Sequence, residues 1–324
     1  MNLSLKSFFI ISALCVTLTA REIKPAFIMK SRALVNDFVI DALKVYVAND
    51  EGSVEIFDLE KRKKVGEIFL KPYRTTKGDL VNVKVLSVDR FNRKTLILST
   101  AKDGYRNLWL HDGRKLIPII TKERKMVIKE ARFIDDKNFA LATLGYDIIK
   151  YTLNDDYKIF NNHIEESAFS DMELSEDKKS LAAVSESGQM SLIDLKSGKI
   201  LRQPKPLNLD NVYKLDYKKG NIITAGEDRR VGVYPKDRKP YFIKSDFLIY
   251  CVALSPSGKY GVYSANEDSD LVLFEIKSGK KIHTLTGQKS LPSTIKFFDE
   301  NGLFSAGYSN EIYYWYLKDK NSLE

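Results

Sequence analysis

Short apolar runs alternate with polar turns along most of the chain, and this pattern predicts an all-β protein. The clearest unit has four such runs, at 250–254, Tyr260–Ser264, Leu271–Glu275 and Lys281–Leu285. Turns such as Ser255-Pro256-Ser257-Gly258 separate them. Apolar positions alternate within the runs, whereas those of a helix recur roughly every three or four residues. The pattern therefore favours strands over a helical repeat.

The same four-run unit recurs along the chain at intervals of about forty residues, the length of a four-stranded propeller blade. Equivalent positions in the seven units are Asp58, His111, Thr152, Asp194, Pro235, Glu275 and Tyr316. Their successive separations are 53, 41, 42, 41, 40 and 41 residues. The long first interval contains a polar insertion at 71–79. We therefore predict seven four-stranded antiparallel blades, with a six-bladed ring as the structural alternative.

The N-terminal and C-terminal segments are expected to form one blade together. The last unit supplies three runs, at 294–298, 302–306 and Glu311–Tyr316, and the segment 25–30 can add the missing outer strand. Such pairing closes a ring and removes exposed strand edges. Because no shift in composition divides the chain, we expect one seven-bladed β-propeller domain over 21–324.

Two turns carry a resemblance to the WD40-repeat propellers. Residues 223–234 contain a small-Gly-x-Asp turn, Ala225 to Asp228, before an alternating strand that ends in an aromatic residue. The turn at 255–259 resembles the first turn of a WD40 blade. The resemblance covers nearly all of 22–317, although the Trp-Asp ending is reduced to pairs such as Phe57-Asp58 and the Gly-His dipeptide is missing. It implies that the His–Asp hydrogen-bond network of regular WD40 blades is absent.

The first twenty residues have the layout of a secretory signal peptide. Lys6 precedes an apolar run at 7–16, and small residues lead to a cleavage point after Ala20. Leu14 stands where a lipidated Cys15 would need a small residue before it. We therefore predict cleavage of 1–20 and release into the periplasm without membrane insertion. The alternative is a buried N-terminal strand or helix.

Charge and cysteine content narrow the class of partner. The net charge is +9, and it becomes +8 when Lys6 leaves with the leader. A basic surface suits acidic partners or anionic membranes, although a solvated lysine-rich surface is the simpler interpretation. Export makes nucleic acid an unsuitable partner. Cys251 lies in an apolar strand pattern and would be the lone thiol after cleavage, so we expect a buried structural cysteine.

The sequence shows no recognisable catalytic motif. The three histidines, His111, His163 and His283, lie in different units, without a second ligand at metal-binding spacing. Carboxylate pairs such as Asp135-Asp136 and Glu165-Glu166 fall in polar loops, where solvated charge is the default. We therefore predict a protein that is not an enzyme and binds no cofactor or metal.

Binding loops are the better candidates for function. Loops between blades and turns between the two middle strands share one face of a WD40-like ring, and loops on a rigid scaffold commonly carry contacts. The candidates on this face are Tyr73, Arg74, Lys77, Lys122, Arg124, Lys125, Arg229 and Arg230. Arg and Tyr are favoured as interface anchors. Acidic Glu227 and Asp268 share the face, which is therefore mixed in charge.

A signal peptide on a single degenerate WD40-like ring resembles the NapL proteins of epsilonproteobacteria. That resemblance implies a monomeric accessory scaffold of the periplasmic nitrate reductase system. Its partner would be a component of the molybdenum- and haem-containing reductase, and the chain itself would bind neither cofactor. One alternative is a propeller enzyme or cofactor-binding domain of the quinoprotein-like or haem d1-like kind. Another is an envelope-assembly scaffold similar to the outer-membrane propeller lipoproteins.

Overall fold

A ring of seven four-stranded antiparallel sheets forms the body of the computed structural model, which describes residues 21–75, 77–153 and 157–318. The predicted leader, 1–20, lies outside the described residues. Strands are numbered along the chain, and within each blade strands A to D run outward from the ring axis. Each A strand contacts the A strand of the next blade all the way round the ring. The predicted seven-bladed fold is therefore confirmed.

The first four blades follow two N-terminal strands, β1 (Arg21–Ile23) and β2 (Phe27–Lys30). Blade 1 contains β3 (Val35–Asp41), β4 (Lys44–Asn49), β5 (Ser53–Asp58) and β6 (Lys63–Phe69). The hairpin β7 (Tyr73–Arg74) and β8 (Leu80–Val81) precedes blade 2, which contains β9 (Val85–Phe91), β10 (Lys94–Thr100), β11 (Arg106–His111) and β12 (Leu116–Ile120). Blade 3 contains β13 (Ile128–Phe133), β14 (Asn138–Thr143), β15 (Asp147–Thr152) and β16 (Tyr157–His163). Blade 4 contains β17 (Phe169–Leu174), β18 (Ser180–Ser185), β19 (Met190–Asp194) and β20 (Ile200–Arg202).

The last three blades complete the ring. Blade 5 contains β21 (Val212–Lys218), β22 (Asn221–Gly226), β23 (Arg230–Tyr234) and β24 (Tyr241–Lys244). Blade 6 contains β25 (Val252–Leu254), β26 (Tyr260–Ser264), β27 (Leu271–Glu275) and β28 (Lys281–Leu285). Blade 7 contains β29 (Pro292–Asp299), β30 (Gly302–Gly307) and β31 (Glu311–Tyr316), with β2 as its outer strand.

The predicted strands are found, with small corrections at their ends. In blade 7, strand A spans Pro292–Asp299 rather than 294–298, strand B ends at Gly307 rather than at 306, and the outer strand begins at Phe27 rather than at 25. The C strand of blade 5 ends at Tyr234, one residue before the predicted Pro235, because proline has no N–H for a sheet ladder. The A strand of blade 6 begins at Val252, not at residue 250. The Ser264 hydroxyl accepts hydrogen bonds from the backbone N–H groups of Tyr250 and Cys251 at 2.8 and 3.3 Å. Those two residues are therefore held outside the regular ladder.

The N-terminal segment pairs with the edge strands of two neighbouring blades. Strand β2 pairs antiparallel with β31, with Phe27 opposite Tyr314 and Lys30 opposite Glu311. This is the predicted closure of blade 7. Strand β1, which the sequence pattern did not predict, pairs in parallel with β28 and places Ile23 opposite Leu285. One short segment therefore holds the outer edges of blades 6 and 7.

The core lies between adjacent blades. Trp315 and Tyr313 of blade 7 are fully buried against residues of blade 6 such as Val262 and Leu273. Phe133 and Phe139 of blade 3 pack on blade 2 in the same way. Burial of each large apolar side chain contributes about 1.5–3 kcal/mol to folding. Each blade is therefore stabilised by its neighbours in the ring.

Amide side chains occupy the place of histidine in two blades. In blade 5, Asn208 donates from Nδ2 to Asp228 Oδ1 at 3.0 Å and accepts from the Thr224 hydroxyl at 2.6 Å. In blade 7, Trp315 Nε1 donates to the Ser305 hydroxyl at 2.8 Å, and that hydroxyl donates to Gln288 Oε1 at 2.6 Å. Neither network contains a histidine, and in each the amide can both donate and accept hydrogen bonds as a neutral imidazole does.

Candidate functional site

The antiparallel meander places the loops of the ring on two opposite faces. The D–A face carries the loops that join blades and the turns between strands B and C. The A–B face carries the turns between strands A and B and between strands C and D. All eight predicted partner-binding residues belong to loops and turns of the D–A face, in three groups.

The first group lies on the insertion between blades 1 and 2. Tyr73 and Arg74 form β7, which pairs with β8, and the exposed Lys77 lies in the connecting turn. Arg74 Nη1 donates to the Gly78 carbonyl at 2.9 Å and so holds the turn. The polar insertion is therefore a small ordered hairpin, and it presents Leu80 to solvent.

The second group lies on the loop between blades 2 and 3. Residues Lys122–Arg124 form a single 3-10 turn, and Lys125 follows it with a φ of 52°. The backbone N–H of Lys122 donates to Asn107 Oδ1 at 2.9 Å, which ties the turn to blade 2. The first two groups therefore flank blade 2 and occupy one sector of the face.

The third group, Arg229 and Arg230, lies on blade 5 and is separated from the other two groups. Arg229 is exposed, with a φ of 63°. Arg230 places its guanidinium 4.5 Å from the ring centre of Phe242, and its Nε lies 3.5 Å from Asp228 Oδ2. Arg230 is thus engaged in contacts within its own blade, whereas Arg229 faces solvent.

Exposed apolar side chains on the D–A face were not singled out by sequence reasoning. Four large ones lie there: Leu80 is 63% exposed, Leu144 44%, Leu209 71% and Tyr308 64%. Among the described residues, Leu43 is the one comparable side chain in the turns of the A–B face. The other exposed large apolar residues lie on outer strands of the blades. The D–A face therefore combines apolar and cationic groups, as protein-binding surfaces do.

An aromatic group lies at the inner edge of the same face. The rings of Tyr213 and Tyr250 stack with centres 5.5 Å apart, and Phe247 lies 6.0 Å from Tyr250. Burial and the neighbouring Glu227 carboxylate raise the pKa of Tyr213 above its ordinary value. The three aromatic side chains therefore join blades 5 and 6 at the inner edge of the D–A face.

The A strands bring a charged network to the central channel, which encloses about 460 Å³. The carboxylates of the network are Asp37, Asp89, Glu130, Asp171, Glu173 and Asp216, and Glu176, Lys178 and Lys219 also line the channel. Four cations, Arg132, Lys214, Lys218 and Lys296, each have one of the network carboxylates within 4.0 Å. The shortest pair joins Arg132 Nη2 to Glu130 Oε1 at 2.5 Å.

Several of these carboxylates join one blade to the next. Asp37 accepts from Val88 N at 3.1 Å, and Asp89 accepts from Phe133 N at 2.7 Å. Three further carboxylates accept in the same way: Glu130 from Met172 N at 3.2 Å, Asp171 from Leu215 N at 2.9 Å, and Asp216 from Leu254 N at 2.7 Å. Five consecutive blade junctions are thus bridged by a carboxylate. Charged residues at alternate positions, as in Lys214-x-Asp216-x-Lys218, are the sequence signal that would have revealed this network.

The environment of the channel shifts its titrating groups. Burial raises the pKa of Glu130 to about 8, against the opposing effect of Arg132. Burial also acts to raise the pKa of Asp37, but Lys296 and Arg132 outweigh it and lower that pKa below its usual value. Burial raises the pKa of the Cys251 thiol to about 12. The expectation of a buried structural cysteine is confirmed, since Cys251 is 1% exposed.

Neither a cluster of metal ligands nor a membrane-spanning helix is found in the part of the chain that the structure describes. In 21–75, 77–153 and 157–318, no three His, Cys, Asp or Glu side chains are grouped as metal ligands would be. The same segments contain no helix of the length and apolarity needed to cross a bilayer.

Comparison with known proteins supports the fold. The β-propeller domain of Cps50 (Swd1) from Myceliophteria thermophila superposes with a TM-score of 0.70, over 91% of this chain and 99% of that chain. The two sequences are 15% identical, so the likeness establishes the fold alone. No protein-family model matches the chain, and no curated protein matches it. The chain thus folds as a WD40-like seven-bladed β-propeller.

Proposed function

We propose that this chain is a non-catalytic scaffold that binds a protein partner through its D–A face. The observation that carries the proposal is the placement of Leu80, Leu144, Leu209 and Tyr308 on that face. Isolated exposed apolar residues are ordinary. Here four of them lie on one face together with exposed cations. Among the described residues, the turns of the opposite face contain one comparable apolar side chain.

A non-catalytic role has support in the channel, the usual place for chemistry in a propeller. Four of the cations that line it, Arg132, Lys214, Lys218 and Lys296, each have a carboxylate within 4.0 Å and are therefore not free to bind a substrate anion. The five bridging carboxylates are occupied by backbone N–H groups. The thiol of Cys251 is protonated at neutral pH. These channel groups stabilise the ring, and the exposed loops remain the candidates for binding a partner.

The proposal includes export and a specific partner. The leader pattern at 1–20 and the single ring resemble the NapL proteins, which favours a monomeric periplasmic accessory of the nitrate reductase system. The proposed partner is a component of the reductase.

A pull-down from the periplasm tests both parts. The tagged protein would be expressed at its native level in its own organism growing on nitrate, and captured partners identified by mass spectrometry. We expect reductase components to be enriched, and the variant L80D/L209D/Y308D to lose them because charge is placed on the binding surface. The variant L43D, altered on the opposite face, is the control for a single introduced charge and should retain them.

The outcomes separate the parts of the proposal. Partners that are lost equally from L43D would overturn the assignment of the D–A face. Enrichment of outer-membrane assembly factors would overturn the nitrate link and favour an envelope scaffold. A visible chromophore in the purified protein would overturn the non-catalytic role, in favour of a quinoprotein-like or haem d1-like ring.

A further inference from the structure

A second surface, on the opposite A–B face, concentrates positive charge at one place. A cleft of about 430 Å³ lies between blades 5 and 6, with Arg238, Lys259 and Lys277 in its lining. We call it the basic cleft and define it by seven exposed cations of the surrounding turns: Lys236, Arg238, Lys239, Lys259, Lys277, Lys280 and Lys281. The same turns hold two acidic residues, Asp237 and Glu275. The cations outnumber these acidic residues by five, which is much of the chain's net charge of +9.

The cations of the basic cleft are not neutralised by the protein. Among the described residues, none of the seven has a carboxylate oxygen within the 4.0 Å of an ion pair. Elsewhere on the same face, lysines are paired, as Lys94 is with Asp136 at 3.2 Å and Lys219 is with Glu176 at 3.8 Å. Seven like charges on neighbouring turns repel one another, and an anionic ligand would relieve that repulsion.

Two acidic residues, Asp237 and Glu275, line the cleft, and Glu275 is already engaged. Glu275 Oε2 accepts from the Ser278 hydroxyl at 2.5 Å, and the Glu275 carbonyl accepts from Gly279 N at 2.8 Å. These bonds hold the turn between strands C and D of blade 6. Glu275 therefore shapes the cleft and leaves its cations unpaired.

The floor of the basic cleft is ordered and partly apolar. Pro235 and Ile276 are buried in its lining, beside the half-buried Tyr260. Arg238 Nη1 donates to the Lys277 carbonyl at 3.0 Å, which joins the turns of blades 5 and 6 across the cleft. The Tyr241 hydroxyl donates to the Ile276 carbonyl at 2.7 Å and adds a second link. Because these bonds already hold the turns in place, the backbone loses little conformational entropy when a ligand binds.

We propose that the basic cleft binds an acidic segment of a protein, in which carboxylates alternate with apolar side chains. Carboxylates would meet the cationic rim, and the apolar side chains would contact the floor. A bilayer surface fits less well, because none of the exposed large apolar residues of the described chain lies at this cleft to enter a membrane. This site lies on the face opposite the proposed partner surface, and it depends neither on that partner nor on nitrate.

The test uses the full chain and a synthetic probe. The probe is an acetylated peptide of about twelve residues in which Glu alternates with Leu and Ser, and its control has Gln in place of Glu. Binding would be followed by calorimetry. We expect binding of the Glu peptide alone, weakening with added salt as exposed charge pairs do.

A matched pair of variants assigns the site. R238E/K259E/K277E should bind the Glu peptide at least about tenfold more weakly, since electrostatic attraction is replaced by repulsion. K61E/K115E/K199E makes the same change in net charge at exposed turns of blades 1, 2 and 4, and should bind as the unaltered chain does. Circular dichroism would verify that both variants fold.

Three results would overturn the proposal. Equal weakening by both variants would assign binding to net charge rather than to the cleft. Equal binding of the Gln peptide would remove the role of carboxylates. Binding of phosphatidylglycerol vesicles through the cleft, with no binding of the Glu peptide, would make this a membrane site. None of these results bears on L80D/L209D/Y308D, so the two proposals fail separately.

Discussion

Asn208 holds Asp228 through a 3.0 Å hydrogen bond from its Nδ2 to Oδ1, and this contact ties the loop entering blade 5 to the turn between its middle strands. Asn208 is buried, and its Oδ1 also accepts from Thr224. Replacement by alanine leaves the Thr224 hydroxyl, Asp228 Oδ1 and the Arg230 carbonyl without this partner. We expect N208A to lose about 1–3 kcal/mol of unfolding free energy in urea titrations. The exposed Asn161 is the control, and N161A should change stability by less than about 0.5 kcal/mol.

Gly226 packs directly against that pair. A Cβ at this position would overlap with Nδ2 of Asn208 and Oδ1 of Asp228. We expect G226A to cost about 1–3 kcal/mol of unfolding free energy, because the network must move to admit the methyl group. At Gly145 no neighbouring atom lies within 4 Å of the position that a Cβ would take, so G145A should be close to neutral in the same urea titration. Equal losses in the two variants would contradict the close packing of blade 5.

The carboxylate of Asp89 bridges blades 2 and 3 by accepting from Phe133 N at 2.7 Å. We expect D89A to lose about 1–3 kcal/mol of unfolding free energy, because the Phe133 N–H is left without this acceptor. D89N keeps one acceptor oxygen and should lose less. Chemical denaturation of the three proteins measures both values. Equal losses in D89N and D89A would show that the charge of Asp89, and not its acceptor oxygen, is what matters here.

Glu130 makes stability depend on pH. Burial raises its pKa in the folded protein from an ordinary 4.5 to about 8, so the folded state binds more protons than the unfolded state between these values. Its stabilising contribution is complete below pH 4.5 and is lost as the pH rises through about 8, with a slope of at most about 1.4 kcal/mol per pH unit. We expect E130Q to flatten the decline of unfolding free energy over this window. An unchanged slope in E130Q would assign the decline to other groups.

The blade architecture was predictable because its signals are local. Turn residues and alternating apolar positions recur at a regular period, so the ends of the C strands could be placed at Asp58, Asp194 and Glu275 from the sequence. The outer strand of blade 7 followed from counting, since three strands need a fourth. Strand β1 was missed because three residues carry too little periodicity to indicate a strand.

The hydrogen-bond and ion-pair partners of polar side chains could not be predicted from such local patterns. Asp89 and Phe133 are forty-four residues apart, and their contact exists only once two blades are adjacent. Arg230 was selected as an interface residue, but Phe242 on the next hairpin strand lies beneath its guanidinium. Asn208 and Gln288 were overlooked because the WD40 pattern has histidine in this role. Chemical equivalence between an amide and an imidazole becomes evident only when the donors and acceptors are in place.

Pairing of β2 with β31 sets the order in which the ring can be completed. β2 precedes blade 1 in the chain and β31 is the last strand described. β2 is therefore synthesised first and cannot pair until β31 has been made. Earlier blades can form one after another, but the first and last blades cannot meet before that moment. The ring therefore cannot close before β31 has been synthesised, and a chain that crosses a membrane as it is made closes only on the far side.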